Sequence, residues 1–439
     1  MSLQDPELPL IAPREPATAT EHERALDDYY LCRVSRELSN IIRRDVLTGR
    51  AKFGVSDDGK ELYQVAMARA VRKGDWRADY YRGHTLLLAL GLASVEDILA
   101  QLYSDATADP FSKGRQMVGH HATPTITLDG KWTAHTENFN VSSATSPTAG
   151  QMARGIGLAF ASKLYRRDDN LPTGFSQNGN EISWTEIGDA STSEGIFWET
   201  MNAAGVLQVP MVATVVDDGF GISVPVHKQT TKSSISSALA GLQASSDGKG
   251  GIDIYAVRGW DYPALTALYP KVAERVRRTH RAALVHVHEL TQPNGHSTSG
   301  SHERYKGKER LAWEKEWDCL VQFRHWLIAT GVAEAEDLNV LDKQARQHVK
   351  EARKRTWDRF TGRLSAERDA LLALLTTNGR ADSAYEQLRA EVTKMDLPLP
   401  SELIDVVRRL RLRLGTELPA ELAGWLRDQQ RSLREAMGK

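Results

Sequence analysis

The sequence predicts an α/β fold in which helices flank a mostly parallel sheet, followed by a helical C-terminal extension. Strand-like and helical patterns alternate between residues 182 and 216 and again between 252 and 289, which is typical of parallel sheets. From residue 311 onward the pattern is charged and helical, without strands. The chain has 439 residues and is 41% hydrophobic, enough for one large domain or two ordinary ones.

The stretch from residue 182 to residue 225 contains the most informative pattern. A short strand, marked by Ile182, Trp184 and Ile187, ends at Gly188 and Asp189. Ser191 and Glu194 then have the spacing of a capping box that begins a helix. The helix is predicted from apolar residues at intervals of three and four, namely Ile196, Phe197, Thr200, Ala203, Ala204 and Leu207.

A second buried strand, Met211–Val216, follows Pro210 and ends before Asp217, Asp218 and Gly219. A strand–helix–strand unit needs about 30 residues, which matches the interval from Asp189 to Asp218. Parallel strands would place both aspartates at the carboxyl edge of one sheet, where such folds bind ligands. Each turn alone is explained by ordinary turn chemistry. Together, beside a helix N-terminus, they predict a magnesium ion that holds a phosphorylated ligand.

The flanking segments predict the remaining elements. Residues 1–20 are rich in Pro, Ala and Thr and are expected to form a flexible tail. Helices are expected from Glu21 through Ile42, over Gly59–Lys73, after the cap residue Ser94, and over Gln151–Leu164. The long loop 105–150 is expected to line a site, because structureless loops of this length are usually functional.

The C-terminal half is predicted in the same way. The polar segment 226–251 is expected to cover the ligand as a loop. Strands over 252–257 and 282–289 enclose a helix over 262–280. A boundary near residue 330 divides a ligand-binding domain, residues 21–330, from the helical extension, residues 331–439, whose breaks fall near residues 378–379 and 398–400.

Net charge, cysteine count and the length of apolar runs indicate which partners and which cellular location to expect. The net charge is −1, so charge gives no reason to expect binding to nucleic acid or to an anionic membrane. The two cysteines, Cys32 and Cys319, are too few for a disulfide framework, which favours a reducing compartment. No signal-peptide pattern and no apolar run of about 20 residues occur in the sequence. The expected location is the cytoplasm.

Five motifs together resemble one enzyme family. They are GRQM at 114–117, SPTAGQ at 146–151, SEG at 193–195, DDGFGISVP at 217–225 and GHSTS at 295–299. With the Gly-Asp pair at 188–189, their order resembles the α subunit of the thiamine diphosphate-dependent decarboxylating component of 2-oxoacid dehydrogenase complexes, especially the branched-chain and fused α–β types. The resemblance covers roughly residues 30 to 330 and implies a thiamine diphosphate-binding fold.

The resemblance implies a role for each matched residue. Asp189, Asp218 and the backbone carbonyl of Phe220 would be ligands of Mg²⁺. The other implied cofactor contacts are Ala190 and Ser191 at the diphosphate, Ser146 and Thr148 at the aminopyrimidine, and Tyr81 with Arg82, whose guanidinium would pair with diphosphate oxygens. His296 matches the active-site histidine near the reacting centre. Ser297 and Ser299 match loop serines that are phosphorylated in some relatives.

Two residues depart from the family pattern. Ala190 stands where the family usually has glycine, which still permits a helix start. Asp218 stands where the family usually has asparagine, as in a subgroup with fused α and β halves. The added carboxylate would repel the diphosphate by on the order of 1–4 kcal/mol per close charge pair in a partly screened site. Arg82, His296 and the helix N-terminus are expected to offset this repulsion.

The other histidines have plainer interpretations. His286 and His288 alternate with Val285 and Val287 and are expected to be sheet residues. A zinc site formed by His286, His288, His296 and His302 is a minor alternative whose spacing matches no established template. For His120 and His121 in the long loop, two alternatives stay open: one of them faces the substrate, or neither does.

The resemblance implies an activity that depends on partners. The chain would decarboxylate a 2-oxoacid, either a branched-chain 2-oxoacid or pyruvate, and pass the acyl group to a lipoyl-bearing acyltransferase. A β subunit or β half would supply the glutamate that protonates the aminopyrimidine, as in a heterotetramer, since no second α/β pattern follows residue 330. Two alternatives stay open: another thiamine diphosphate enzyme, transketolase-like or a lyase, and a non-catalytic remnant of the fold.

Overall fold

A computed structural model describes residues 19–245, 250–298, 300–379 and 383–436. Within these ranges, the strands in chain order are β1 (Trp76–Ala78), β2 (Asn140–Ser142), β3 (Ser183–Gly188), β4 (Met211–Val216), β5 (Phe220–Gly221), β6 (Val224–Pro225), β7 (Asp253–Arg258) and β8 (Ala283–His288). Six of them form a parallel sheet in the order β2-β1-β3-β4-β8-β7, and β5 and β6 form a separate antiparallel hairpin. Residues 1–18, and with them most of the predicted tail, and Ser299 lie outside the described residues.

Helices cover both faces of the sheet and form the C-terminal part of the chain, which confirms the predicted fold class. They are α1 (Ala19–Leu47), α2 (Glu61–Ala68), α3 (His84–Ala89), α4 (Val95–Leu102), α5 (Gly150–Arg167), α6 (Gly195–Leu207), α7 (Ile235–Ala238), α8 (Tyr262–Thr279), α9 (Lys308–Glu316), α10 (Cys319–Ala329), α11 (Ala335–Thr377), α12 (Ser383–Lys394), α13 (Pro400–Leu414) and α14 (Ala420–Ala436). None of these helices is long and apolar enough to span a bilayer. The strands β1 and β2 were not predicted, because three residues are too few to establish a period.

The predicted strand–helix–strand unit is confirmed as β3, α6 and β4. Strands β3 and β4 are neighbours over their whole length, from Ser183 opposite Met211 to Gly188 opposite Val216. The predicted capping box is wrong, because α6 begins only at Gly195. A short 3₁₀ helix, Ala190–Ser193, comes first. The backbone N–H and the hydroxyl of Thr192 both donate to the carbonyl of Asp189, at 3.1 and 2.6 Å, and hold this tight turn.

Two apolar layers enclose the sheet. On one face, Trp184, Val212 and Val285 pack with α1, α2, α8 and α10. On the other face, Ile187 and Met211 pack with α5 and α6. Successive side chains of a strand point to opposite faces, and β4 is buried throughout, so its unbroken apolar sequence is the expected pattern for a central parallel strand.

The C-terminal helices do not form one independent unit. Helix α11 is 43 residues long, and its first half packs against α1 and α4. Leu338 shares a core cluster with Phe323, so packing continues across the boundary that the sequence placed near residue 330. Among the described residues, a separate core begins only at Leu371, where the second half of α11 meets α12, α13 and α14.

A buried carboxylate joins α8 to the sheet. Asp75 is 1% exposed and forms a bidentate ion pair with Arg277, at 2.7 Å to each oxygen. It also accepts the backbone N–H of Ile182 at 2.9 Å and the indole N–H of Trp184 at 3.0 Å. With the backbone N–H of Arg72, at 3.0 Å, five N–H groups of four residues donate to this one side chain.

We predict that Asp75→Ala lowers the free energy of unfolding by about 3–5 kcal/mol, because removing one partner of a buried ion pair leaves the other charge uncompensated. Urea unfolding followed by far-UV circular dichroism measures the change. Lys354→Ala is the control, since the Lys354–Asp358 pair is exposed (78% and 56%), and its effect should stay within about 0.5 kcal/mol. Equal effects of the two variants would contradict the prediction.

Candidate functional site

A cavity of about 530 Å³ opens at the carboxyl edge of the sheet. Every residue that the sequence singled out for the site lines it: Tyr81, Arg82, Ser146, Thr148, Asp189, Ala190, Ser191, Asp218, Phe220 and His296. They come from segments that follow β1, β2, β3, β4 and β8. The parallel sheet thus brings together residues more than 200 positions apart, while the roles predicted for them stay predictions.

The β5–β6 hairpin closes one side of the cavity and approaches the turn after β3. At Gly221, an added Cβ would lie 2.5 Å from the Cβ of Ala190. Glycine is therefore required at this position by packing. The hairpin turns through Ile222, which has a φ of +59°. That angle is unusual for a β-branched residue and is typical of segments that the surroundings hold in place.

Asp189 brings an unsatisfied carboxylate oxygen to the cavity. The side chain is buried, and its Oδ2 atom has no hydrogen-bond partner among the described residues. Burial raises the pKa of Asp189 well above its usual range, and the neighbouring carboxylates of Asp218 and Asp217 raise it further. An acidic group in this environment is stabilised by a bound cation or proton.

Asp217, in contrast, is fully engaged. Its Oδ2 atom contacts Nε2 of His286 at 2.9 Å, and its Oδ1 atom accepts the backbone N–H of Gly219 at 2.8 Å. The other ring nitrogen of His286 lies 2.9 Å from the hydroxyl of Ser236. The prediction that His286 and His288 are sheet residues is confirmed, because both lie in β8.

Asp218 pairs with Lys60, a residue that the sequence analysis missed. The ammonium of Lys60 donates to Asp218 Oδ2 at 2.8 Å, and the backbone N–H of Phe220 donates to Oδ1 at 3.1 Å. Burial alone would raise the pKa of Asp218, but the charge of Lys60 holds it below its usual value. The two residues are 158 positions apart, so no local pattern could have linked them.

Arg82 supplies a positive charge that no carboxylate neutralises by direct contact. It is 2% exposed, and its guanidinium donates to the carbonyls of Ser56 and His296 at 2.5 and 2.6 Å and covers the ring of Tyr81 at 4.9 Å. Among the described residues it forms no ion pair. A buried guanidinium with only neutral partners favours an anionic ligand.

His296 is neutral at physiological pH. Burial and the adjacent Arg82 lower the pKa of His296 to about 4. Its Nδ1 atom lies 3.3 Å from a guanidinium nitrogen of Arg82. Since arginine can only donate, Nδ1 is the acceptor and the ring proton is on Nε2.

These contacts correct the expectation about how the extra carboxylate is balanced. A neutral His296 adds no positive charge, and the helix N-terminus lies at Gly195, four residues beyond Ser191. The cation that contacts Asp218 directly is Lys60 rather than Arg82.

Of the two loop histidines, His120 lines the cavity and His121 does not. The backbone N–H of His121 donates to Asp79 at 2.9 Å, and its ring packs edge-on against His84 behind the cavity wall. Burial lowers the pKa of His120. The alternative in which one of the two histidines faces the ligand space is therefore the one that the geometry supports.

The donor set fits a magnesium ion that shares its coordination with a ligand. No cluster of three or more His, Cys, Asp or Glu side chains in the described part of the chain could hold a metal by itself. The unpartnered Oδ2 of Asp189 is nevertheless the kind of hard oxygen that Mg²⁺ prefers, and Mg²⁺ is usually held by one or two carboxylates together with phosphate oxygens. Both oxygens of Asp218 already accept a protein donor, Oδ2 from Lys60 and Oδ1 from the backbone N–H of Phe220. A metal ion bound to Asp218 would therefore share the carboxylate with these groups.

The rim of the cavity is apolar and exposed. Met117, Ile222 and Val224 line the opening and are 49%, 59% and 43% exposed. Large apolar side chains clustered around an opening are typical of surfaces that another chain or a ligand covers.

Known proteins resemble the chain over most of its length. Residues 31–360 match the family described as "Dehydrogenase E1 component". The 2-oxoisovalerate dehydrogenase subunit alpha of Bacillus subtilis (strain 168) is 26% identical over 74% of this chain and 87% of its own length. A mitochondrial 2-oxoisovalerate dehydrogenase subunit alpha 1 of Arabidopsis thaliana is also 26% identical, over 69% of this chain but only 57% of its own. The pyruvate dehydrogenase E1 component subunit alpha of Rickettsia typhi is 25% identical over 67% and 78%.

We predict that Asp189→Asn raises the free energy of unfolding of the ligand-free protein by on the order of 1 kcal/mol, because an amide removes a buried, uncompensated charge. Asp217→Asn is the matched control and should lower it, since it weakens the contact with His286. Urea unfolding without added metal or phosphate compares the two. Destabilisation by Asp189→Asn would show that the carboxylate is satisfied after all.

Proposed function

Because the chain belongs to the dehydrogenase E1 component family, we propose that it is the alpha subunit of a thiamine diphosphate- and Mg²⁺-dependent 2-oxoacid dehydrogenase component. In this role it would act with a β subunit to decarboxylate a 2-oxoacid and pass the acyl group to a lipoyl-bearing acyltransferase. The family and the named alpha-subunit relatives support the 2-oxoacid dehydrogenase class.

One observation carries the proposal: a free carboxylate oxygen and a buried, unneutralised guanidinium line the same cavity. Asp189 Oδ2 would bind the metal ion, and Arg82 would bind diphosphate oxygens. A metal–diphosphate group has the complementary charges for both. Ala190 and Ser191, on the turn after β3, would contribute backbone N–H groups toward the diphosphate, and the carbonyl of Phe220 would be a further metal ligand.

Thiamine diphosphate, when bound, supplies an electron sink for the release of carbon dioxide from a 2-oxoacid. The chain's own residues would hold and orient the reactants. Ser146 and Thr148, in the turn just before α5, would contact the aminopyrimidine, and Tyr81 would support Arg82 by stacking on its guanidinium. His296 would donate a hydrogen bond from Nε2 to the substrate, since its Nδ1 is occupied by Arg82.

A β subunit is proposed because the cavity lacks a group that the chemistry needs. No glutamate lines it among the described residues, although the aminopyrimidine needs an acid partner. The apolar rim of Met117, Ile222 and Val224 supports a chain that covers the opening. A transketolase-like enzyme or a lyase would carry such an acid in its own chain or a sister domain, so this observation favours the first proposal.

Branched-chain 2-oxoacids are the proposed substrates, with pyruvate as the second candidate. The GRQM, SEG and STS segments favour the branched-chain type, and the Bacillus and Arabidopsis relatives carry that name, whereas the Rickettsia relative is named for pyruvate. A cytoplasmic location is proposed because Cys32 and Cys319 are free thiols.

Calorimetry with thiamine diphosphate and Mg²⁺, with and without a co-expressed β subunit, tests the proposal. We expect Mg²⁺-dependent binding, and decarboxylation of a branched-chain 2-oxoacid only in the assembled complex. No binding under either condition would exclude any thiamine diphosphate enzyme. Binding without decarboxylation in the complex would favour a non-catalytic remnant of the fold.

The metal ligands are tested by a pair of variants. Asp189→Ala should abolish Mg²⁺-dependent cofactor binding, because it removes the free oxygen. Asp218→Asn should preserve binding, because an amide oxygen is also a suitable ligand for a hard cation. Calorimetric titration of cofactor at fixed Mg²⁺ measures both, and the reverse pattern would show that the ligand assignment is wrong.

A further inference from the structure

We infer that Lys60 is a positioning residue for the cofactor: its ammonium neutralises Asp218, so that the cavity accepts an anionic diphosphate beside two carboxylates. The inference rests on the proposed function and adds a residue to it. Lys60 lies just before α2, inside the helix predicted over Gly59–Lys73, and the sequence analysis assigned it no part in the site.

Lys60 is held as a buried charge by three acceptors. Its side chain is 2% exposed. The ammonium donates to Asp218 Oδ2 at 2.8 Å, to the carbonyl of Thr291 at 3.0 Å and to the side-chain oxygen of Gln292 at 2.5 Å. All three donor positions are used, so the side chain has a fixed geometry and lies at the cavity wall.

Two neighbouring cations, Lys306 and Arg310, cannot replace it, because each is engaged elsewhere. Lys306 pairs with Glu314 at 2.7 Å, and Arg310 donates to Glu314 at 2.9 Å. Arg310 reaches only the backbone carbonyl of Asp218, at 2.7 Å. Within the described part of the chain, Lys60 is the cation in contact with the carboxylate of Asp218.

Charge balance explains why this pair matters for an anionic ligand. Asp189 and Asp218 both line the cavity, and a diphosphate adds further negative charge. With Lys60 in place, the Lys60–Asp218 ion pair has no net charge, as the asparagine usual in the family would have none. Without it, Asp218 would repel the diphosphate in a site where burial weakens the screening of charges.

Contacts of Lys60 also connect the walls of the cavity. Thr291 and Gln292 lie in the segment between β8 and His296, and Gln292 also donates to the carbonyl of Asp58 at 3.3 Å. Lys60 therefore joins the loop before α2, the end of β4 and the segment that carries His296. It acts through Asp218 and through this segment, not by contact with the reacting atoms.

The test compares Lys60→Met, Lys60→Arg, Asp218→Asn and the double variant Lys60→Met/Asp218→Asn. Calorimetry measures the dissociation constant of thiamine diphosphate at saturating Mg²⁺ for each protein in complex with its β subunit. Lys60→Met should weaken binding on the order of 100-fold, the size expected when one partner of a buried charge pair is removed. The double variant should recover to within about fivefold of the unchanged protein, since no uncompensated carboxylate remains, and Lys60→Arg should retain most of the affinity.

Arg353→Met is the matched control. It breaks a partly buried ion pair with Asp45, at 2.7 and 2.8 Å, that lies outside the cavity. It should lower the unfolding temperature and leave the dissociation constant unchanged. If a double variant binds as weakly as Lys60→Met, or if Lys60→Met binds like the unchanged protein, the inference is wrong.

The test also gives a result if Lys60→Met does not fold or if the unchanged complex binds no cofactor. If Lys60→Met does not fold, Asp218→Asn and the double variant are compared with each other. They should differ by no more than about threefold, because the lysine has no carboxylate left to neutralise. A larger loss would mean that Lys60 acts by another route. If the unchanged complex itself binds no cofactor, the proposed function fails, and the inference fails with it.

Discussion

Two carboxylates held at one edge of a parallel sheet are the constraint on which the cavity depends. Strands β3 and β4 are neighbours in register, so the chain leaves both at the same level, and the aspartates that follow them face the same space. Burying like charges together is costly. Neighbouring donors pair with Asp217 and Asp218 and so reduce this cost, while one oxygen of Asp189 stays unpaired at the cavity.

The three carboxylates near this edge of the sheet differ in their partners. Asp217 is paired with His286 and a backbone N–H group, Asp218 is paired with Lys60, and Asp189 keeps one oxygen without a partner. Among the three, only Asp189 has an oxygen that a cation would not share with a protein donor. Arg82 is likewise not neutralised, because it donates to the neutral carbonyls of Ser56 and His296. Its positive charge is therefore available to an anionic ligand. The site is preorganised for a ligand with a positive and a negative part.

The strand–helix–strand unit and the aspartates at its two ends could be predicted because each has a local signal, whereas the other cavity-lining residues were predicted from the family resemblance. An apolar run next to a turn identifies β4, and a Gly-Asp turn after an apolar strand identifies Asp189. The capping box failed because Ser191 has the right spacing, yet Thr192 bonds to the carbonyl of Asp189 and keeps the turn tighter than an α-helix. Spacing records which contacts are available, and the competing hydrogen bond decides which of them forms.

The sequence by itself determined strands β3, β4, β7 and β8, the parallel sheet and the two aspartates that its carboxyl edge presents, because these follow from periodicity and turn chemistry over short distances. Only the tertiary structure decided how their charges are balanced. Lys60 meets Asp218 across 158 positions, and α11 packs on α1 across a boundary that composition had suggested. Both depend on how distant segments fold onto one another, which a single sequence does not encode in any local pattern.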